Sequence, residues 1–237
     1  PCGIIAFEIC EDIWSPDGPM RRRAYRGAEL IINASASPFR SGVVGTRREM
    51  VTQRAADNQA TVAYVNMVGA NGALSFDGGS FVNQNGRMLH EGKKWHHGWS
   101  ITTVDLDITS TQRWQNTTWR TDCANWKGAH KPYGIVTIRG LPDTKKVTPT
   151  TTSVSFIPVV KQSPDATHEY FSDLEEALIQ GLGDFFKKIG KFERIGIALS
   201  GGRDSCLALI IAWKYAQRHH ALAKTTPDKK TFFHDFI

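Results

Sequence analysis

The chain has 237 residues, of which 41% are hydrophobic, and this length and composition suit one large domain or two small ones with a packed core. Lys and Arg outnumber Asp and Glu by 29 to 23, which gives a formal net charge of +6 at pH 7. Because this excess is small and scattered along the chain, it favours an ordinary solvated surface over a nucleic-acid partner.

Neither a membrane span nor a secretory leader is expected. The longest apolar run near the C-terminus, from Cys206 to Trp213, is far shorter than the roughly 20 residues that cross a bilayer. Acidic residues break the first apolar stretch, and no basic leader precedes it. We therefore expect a cytoplasmic protein without a membrane partner. Because the chain begins with Pro1, almost inside an apolar stretch, we also expect it to be part of a longer protein.

The first third of the chain has the pattern of strand, crossover and strand. Gly3 to Ile9 and Glu29 to Ala34 are apolar runs of strand length, and a basic segment with Pro and Gly separates them. Arg47 to Gln59 has the composition of a helix, and Val62 to Val68 is a third β-rich run. This order predicts a layered α/β domain.

A hairpin is predicted next. The stretch GGSFVNQNGRMLHEG alternates apolar and polar residues around Asn85-Gly86, and Asn-Gly between such runs is a strong hairpin signal.

Regular periodicity fails from Asp107 to about Pro164, where Thr, Pro and basic residues accumulate. This composition predicts a surface connector. Beyond it the pattern predicts a helix from about Glu169 to Lys188, a strand at Ile195 to Leu199, a Gly-Gly turn and a helix from about Asp204 to Gln217.

Cys10 stands at the end of the first predicted strand, directly before Glu11 and Asp12. A thiol at a rigid strand end that enters an open turn is well placed to attack a carbonyl carbon. The two carboxylates disfavour a thiolate, so activation requires a base or a cation from elsewhere. The alternative is that Cys10 is a small residue of the core.

The turn from Ser200 to Ser205 is a candidate anion site. It lies between a predicted strand and a helix, where backbone N–H groups and the positive end of the helix dipole converge. Gly201 and Gly202 allow close approach of phosphate oxygens, and Asp204 can hold Mg²⁺ against a pyrophosphate. The alternative is a plain Gly-rich turn with Asp204 as a helix cap. The GxxxxGK[ST] spacing of kinases that transfer a γ-phosphate is absent.

Two motifs resemble known families. EICEDIW resembles the nucleophile segment of the nitrilase superfamily in its NAD synthetase branch, and SGGRDS resembles the SGGxDS motif of N-type ATP pyrophosphatases. The resemblance to glutamine-dependent NAD(+) synthetases continues through four further segments. These are NASASPF (Asn33 to Phe39), YVNMVG (Tyr64 to Gly69), FDGGSFV (Phe76 to Val82) and NTTWR (Asn116 to Arg120).

The resemblance assigns roles to individual residues. It implies that Cys10 is the catalytic nucleophile and that Glu11 and Ser37 contact glutamine. A basic residue usually follows this serine, but Val43 occupies the nearest matching position, and Arg40 or Arg47 are candidate substitutes. The implied ATP-binding residues are Ala198, Leu199, Ser200, Gly201, Gly202, Arg203, Asp204 and Ser205. No protein metal site is expected.

The resemblance also implies a fold and a division into domains. Residues 1–107 are expected to form the C-terminal part of a nitrilase-type α-β-β-α sandwich, and residues 108–167 a connector. Residues 168–237 are expected to begin a Rossmann-like adenine nucleotide hydrolase domain. The family's catalytic Glu and Lys lie on strands before the Cys strand, so we expect a fragment truncated at both ends that is inactive by itself.

The implied reaction has two halves. Glutamine is hydrolysed to glutamate and ammonia, and ATP with Mg²⁺ adenylylates deamido-NAD, from which ammonia displaces AMP to give NAD and diphosphate. The implied partners are the small molecules glutamine, deamido-NAD and ATP, with a homo-oligomer at full length. One alternative is a nitrilase-type amidase fused to another ATP pyrophosphatase, such as a tRNA-modifying enzyme. Another is a truncated product without activity.

Overall fold

The computed structural model describes residues 3–126, 136, 154–155, 165–191 and 194–225. Most of the predicted connector therefore lies outside the described residues, as do residues 226–237 of the predicted second domain. The strands are β1 (Ile5–Ile9), β2 (Leu30–Ser35), β3 (Thr61–Asn66), β4 (Val68–Asn71), β5 (Leu74–Asp77), β6 (Phe81–Gln84), β7 (Arg87–Glu91), β8 (Ser100–Ile101) and β9 (Val154–Ser155). The helices are α1 (Pro19–Tyr25), α2 (Val43–Asp57), α3 (Leu106–Gln115), α4 (Thr117–Asn125), α5 (Ala166–Ile189), α6 (Arg203–Thr225) and a 3-10 helix (Cys10–Trp14).

The chain divides into two compact units, and a five-stranded mixed sheet is the centre of the first, which comprises Pro1–Met67 and Gly78–Lys161. Its strand order is β1-β2-β3-β6-β7, with β1, β2 and β3 parallel and the last two strands antiparallel. The crossovers between the parallel strands contain α1 and α2, as the pattern of strand, crossover and strand predicts. The expected α/β organisation is confirmed.

The two faces of this sheet differ in burial. On one face, one residue from each of four neighbouring strands forms a buried row across the sheet, namely Glu8, Asn33, Tyr64 and Phe81. The apolar core on this face includes Ala24 of α1 and Val51 of α2. On the opposite face of β1, Phe7 and Ile9 are 64% and 72% exposed. Successive strand residues alternate between faces, so this difference follows from the two-residue period of the strand.

The predicted hairpin is confirmed. β6 and β7 pair antiparallel around Asn85 and Gly86, whose φ angles are 52° and 91°. Both values lie in the left-handed region that a two-residue hairpin turn requires, and Asn and Gly tolerate that region best.

The surface connector predicted from Asp107 begins with two helices that the sequence pattern did not indicate, since α3 and α4 occupy residues 106–115 and 117–125. The buried face of α3 carries the polar residues Thr109 and Arg113, so hydrophobic periodicity does not reveal the helix. Two side chains cap the helices: Asp105 accepts from the backbone N–H of Asp107, and Asn116 accepts from that of Trp119.

Arg113 anchors α3 to the segments that lead into β2 and β3. Its guanidinium donates to the carbonyl oxygens of Ala28 and Gln59 at 2.6 and 2.7 Å. Those residues lie just before β2 and just before β3. Burial lowers the pKa of Arg113 to about 10, so the side chain remains charged at neutral pH.

The second unit comprises Val68–Asp77 and Gln162–Ile237. Within it, the β4–β5 hairpin packs on α5, and Asp184 of α5 accepts from the backbone N–H of Ala70 at 2.6 Å. Ile179 of α5 packs against Ile211 and Tyr215 of α6. Both predicted helices are confirmed.

The predicted strand at Ile195 to Leu199 is wrong, since these residues adopt no regular structure. A strand needs backbone hydrogen bonds from a neighbour, and no described strand pairs with this segment. Ile195 packs instead against the apolar cluster of α5 and α6. Across the described ranges, no helix has the length and apolar character to span a bilayer.

Candidate active site

The carboxyl ends of the three parallel strands bring the predicted site residues Cys10 and Ser37, together with Asn66, to one edge of the sheet. Cys10 follows β1 directly, Ser37 follows β2 by two residues, and Asn66 ends β3. Asn66 links the last two of these ends, because its Oδ1 accepts from the Ser37 backbone N–H at 2.8 Å and its Nδ2 donates to the Ser37 carbonyl at 3.3 Å. Ligands of α/β sheets commonly bind at this edge.

Cys10 has a left-handed backbone with a φ of 45°. This conformation is uncommon for residues other than Gly, and such outliers are concentrated at functional sites. The residue is half-buried and begins the 3-10 helix, where Asp12 Oδ2 accepts from the Ile9 backbone N–H at 3.2 Å. Glu11 lies beside Cys10 and is exposed. The chain therefore turns sharply at the thiol, as expected for a nucleophile at a strand end.

A buried polar network lies next to Cys10. Asn33 is fully buried, and its Nδ2 donates to the Cys10 carbonyl oxygen at 3.4 Å. Its Oδ1 accepts from the Ser35 hydroxyl at 2.6 Å, and its side chain is also hydrogen-bonded to Glu8. Glu8 Oε1 accepts from Arg23 Nη1 at 3.3 Å.

Glu8 is a perturbed acid within this network. Burial raises the pKa of its carboxyl from 4.5 to about 7, although the nearby Arg23 guanidinium acts in the opposite direction. The side chain is fully buried, and Oε2 has no hydrogen-bond donor among the described residues. Glu8 therefore changes charge near neutral pH.

Ser37 is held by Arg47 of α2. Arg47 Nε donates to Ser37 Oγ at 3.1 Å, and Arg47 Nη2 donates to the carbonyl oxygens of Ser37 and Pro38 at 2.7 and 2.9 Å. Arg47 is 1% exposed, whereas Arg40 is exposed. Of the two candidate substitutes for the missing basic residue, Arg47 is thus the one that touches Ser37. Because the Ser37 oxygen accepts from Arg47, its own O–H can be donated to a ligand.

Sequence reasoning singled out Cys10 and Ser37 but did not identify Glu8, Asn33 or Asn66 as part of the site. The two-residue alternation along β1 and β2 is the signal that places Glu8 and Asn33 on the buried face. A charged residue and an amide at such positions indicate a polar network, since buried polar groups require partners.

The second predicted site, Ala198–Ser205, forms a largely exposed turn that leads into α6. Ser200 Oγ lies 3.1 Å from Ser205 Oγ and accepts from the Gly202 backbone N–H at 3.4 Å. Gly201 has a φ of 82°, and a Cβ added there would meet no atom within 4 Å. Open space in front of this backbone and the N-terminus of a 23-residue helix fit a phosphate group.

A divalent cation fits beside this turn only together with a phosphate ligand. Asp204 is exposed at the start of α6 and supplies one carboxylate. Over the described part of the chain, no three His, Cys, Asp or Glu side chains gather closely enough to hold a metal ion. Mg²⁺ commonly binds one or two carboxylates together with substrate phosphates, which suits this arrangement.

Comparisons with known proteins show which families the chain resembles. Residues 1–116 match the family model described as carbon-nitrogen hydrolase. The glutamine-dependent NAD(+) synthetase of Thermotoga maritima is 36% identical over 210 residues, which cover 88% of this chain and 34% of that protein. The enzyme of the same name from Aquifex aeolicus is 33% identical over 209 residues, with the same coverage. The chain thus spans about a third of the length of the curated relatives it matches.

A solved structure shares the fold. The glutamine-dependent NAD+ synthetase from Acinetobacter baumannii, in complex with adenosine diphosphate, aligns with a TM-score of 0.59 and 23% identity. The alignment covers 88% of this chain and 30% of that one.

Proposed function

We propose that this chain, whose residues 1–116 match the carbon-nitrogen hydrolase family and which is similar to glutamine-dependent NAD(+) synthetases over most of its length, carries the thiol nucleophile and the phosphate-binding turn of such an enzyme. The full-length protein then makes NAD from deamido-NAD, ATP and glutamine.

In the first half-reaction, Cys10 Sγ attacks the side-chain amide carbon of glutamine. The C–N bond breaks, the nitrogen takes up a proton and leaves as ammonia, and a thioester remains on Cys10. Water then attacks the thioester carbon, so that the C–S bond breaks and glutamate and the free thiol are released. The family resemblance assigns the general base and the cation of this chemistry to a Glu and a Lys of the full-length protein.

The described residues position glutamine for this attack. The free O–H of Ser37 donates to the substrate, while Arg47 and Asn66 hold Ser37 in place through its hydroxyl, carbonyl and N–H groups. Glu11, exposed beside the thiol, shapes the pocket and recognises polar groups of glutamine. Binding energy then offsets part of the translational and rotational entropy that is lost when glutamine and the thiol are brought together.

In the second half-reaction, the turn Ala198–Ser205 holds the phosphates of ATP. The carboxylate of deamido-NAD attacks the α-phosphorus and diphosphate leaves. Ammonia then attacks the adenylylated carbonyl carbon and AMP leaves, which yields NAD. Asp204 would hold Mg²⁺ at this turn, and the ion would neutralise negative charge on the phosphates. Ammonia must travel between the sites unprotonated, because ammonium is not a nucleophile.

The observation that carries this proposal is the left-handed Cys10 at the carboxyl end of β1, within a segment that matches carbon-nitrogen hydrolases. The test measures NAD formation by the full-length protein with glutamine or with ammonium chloride as nitrogen donor. Cys10→Ala should abolish formation from glutamine and leave formation from ammonia within about twofold.

Cys123→Ala is the control, because that thiol donates to the Tyr25 carbonyl away from the carboxyl edge. This variant should retain both activities. Retention of glutamine-dependent synthesis by Cys10→Ala contradicts the assignment.

If the protein instead consumes ATP in an RNA-stimulated reaction and forms no NAD, the result supports the tRNA-modifying alternative. A homo-oligomeric state and a cytoplasmic location stay predictions, and light scattering on the full-length protein tests the first.

A further inference from the structure

The polar network under Cys10 is centred on Asn33, a fully buried residue of β2 that stands opposite Glu8 of β1 in the sheet register. Both the amide oxygen and the amide nitrogen of its side chain form hydrogen bonds. The Oδ1 atom accepts from Ser35 Oγ at 2.6 Å, and the Nδ2 atom donates to the Cys10 carbonyl oxygen at 3.4 Å. The Asn33 side chain is also hydrogen-bonded to the Glu8 carboxyl.

We propose that Asn33 is a positioning residue that holds Cys10 in its left-handed conformation, while Ser35 and Glu8 fix the orientation of the Asn33 amide. The inference rests on the proposed role of Cys10 as nucleophile, and it adds that Asn33 acts on the thiol through the Cys10 backbone.

The strained backbone of Cys10 is the reason that a positioning residue is needed. A residue with a Cβ is destabilised in the left-handed region, so the surrounding structure must supply compensating interactions. The Cys10 carbonyl belongs to the peptide that follows the thiol-bearing residue, and anchoring it restricts the ψ angle of Cys10. Without the Asn33 donor, Cys10 can relax toward an ordinary conformation and move its thiol away from the substrate.

The neighbours of Asn33 determine which end of its amide faces Cys10. A carbonyl oxygen accepts and never donates, so only Nδ2 can bind the Cys10 carbonyl. The Asn33 side chain is hydrogen-bonded to the Glu8 carboxyl and lowers its pKa, as a donor does, and Arg23 Nη1 donates to Glu8 Oε1 at 3.3 Å. The Ser35 hydroxyl occupies Oδ1. If the amide were flipped, Asn33 Oδ1 would face the Cys10 carbonyl oxygen and Nδ2 would lose that acceptor. The hydrogen bonds of Asn33 with Ser35 and Glu8 therefore favour the observed orientation.

Asn58 offers a matched control within the same unit. It is 1% exposed, and its Nδ2 donates to a backbone carbonyl, that of Arg54, at 2.8 Å. Asn58→Ala therefore removes the same side-chain volume and the same type of hydrogen bond as Asn33→Ala, but at the end of α2 rather than beside the thiol.

The experiment uses the full-length protein and two measurements. The first is steady-state glutamine hydrolysis, which separates kcat from KM. The second is alkylation of Cys10 by iodoacetamide, followed by mass spectrometry and normalised to the exposed Cys206 of the same chain. Asn33→Ala should lower kcat about tenfold, the factor expected for loss of one hydrogen bond. It should also slow Cys10 alkylation severalfold and leave the KM for glutamine within about twofold.

Asn58→Ala should lower the unfolding temperature without changing kcat or the alkylation ratio. Equal effects of the two variants on kcat and alkylation would overturn the inference, because Asn33 would then contribute stability only. If Asn33→Ala does not fold, Ser35→Ala removes one support of the amide and should lower kcat about threefold with KM unchanged; no change overturns the inference. If the unaltered protein does not hydrolyse glutamine, the proposed function fails, and the alkylation ratio alone decides the role of Asn33.

Discussion

Arg47 Nε donates a hydrogen bond to Ser37 Oγ at 3.1 Å, and this contact joins helix α2 to the loop that follows strand β2. Both residues are buried, and the same guanidinium binds the carbonyl oxygens of Ser37 and Pro38. A planar group with several donors holds three acceptors at fixed angles, which an ammonium group cannot reproduce. The loop that carries Ser37, the serine proposed to bind glutamine, is thus held from helix α2 by the Arg47 side chain, in addition to its hydrogen bonds with Asn66.

Arg47→Lys should therefore weaken glutamine binding more than catalysis. Loss of hydrogen bonds to buried acceptors should lower the free energy of unfolding by about 2 kcal/mol. In the full-length protein the KM for glutamine should rise about fivefold or more, with kcat less affected, as expected when uniform binding is lost.

Arg48→Lys is the control, since Arg48 lies on the same helix and pairs with the partly exposed Glu91. It should leave KM unchanged. Similar KM values for the two variants would show that Arg47 does not organise the site.

Glu8 makes the stability of the fold depend on pH. Its pKa is raised from 4.5 to about 7 in the folded chain, mainly by burial. Between these values the unfolded chain releases the proton and the folded chain retains it, so stability falls as pH rises through this window. Glu8→Gln should therefore gain stability relative to the unaltered protein as pH increases from 5 to 8, by up to about 3 kcal/mol.

Urea unfolding at pH 5, 6, 7 and 8 measures this difference. Ser35→Ala removes a hydroxyl that does not titrate from the same network, and it should shift the stability curve without changing its dependence on pH. Parallel curves for Glu8→Gln and the unaltered protein would contradict the assignment to Glu8.

Arg113→Met should destabilise the first unit. It removes the donor that serves the carbonyl oxygens of Ala28 and Gln59 and leaves both without this partner. A buried acceptor without a donor costs about 1–3 kcal/mol, so urea unfolding should show a loss of about 3 kcal/mol. Arg120→Met, at an exposed position of α4, should stay within about 0.5–1 kcal/mol of the unaltered protein. Equal losses would mean that Arg113 does not anchor α3.

Gly201→Ala should weaken ATP binding by more than its loss of folding stability can explain. The φ of 82° disfavours any Cβ, and the space that the new methyl would fill is the space proposed for phosphate oxygens. In the full-length protein the KM for ATP should rise about tenfold or more, measured with ammonia as nitrogen donor.

Gly190→Ala is the matched control. Gly190 has a φ of 64° at the end of α5, and its added Cβ would make ordinary contact with the Lys187 carbonyl at 3.7 Å. It introduces similar backbone strain, of about 1 kcal/mol, away from the turn. If both variants use ATP equally well, Gly201 does not line the phosphate site.

Local features of the chain were predictable where they depend on near neighbours. The strands β1 and β2, the Asn85-Gly86 turn and the helices α5 and α6 follow from alternation, turn chemistry and helical periodicity. Helix α3 escaped prediction because its buried residues Thr109 and Arg113 are polar. Their hydrogen-bond partners include Thr61 and Ala28, which lie 48 and 85 residues away in the sequence. The strand at Ile195 to Leu199 was predicted in error, because strand formation depends on a partner that a local pattern does not reveal.

Residue chemistry and local motifs were enough to single out the thiol of Cys10, the hydroxyl of Ser37 and the glycine turn before α6 as groups suited to the proposed reactions. What holds these groups in place depends on contacts between segments that are far apart in the chain. Asn33 is 23 residues from Cys10 along the chain, and Asn66 is 29 residues from Ser37. Parallel pairing of β1, β2 and β3 brings these strand ends to one edge of the sheet, and contacts over such separations arise only after the strands have paired.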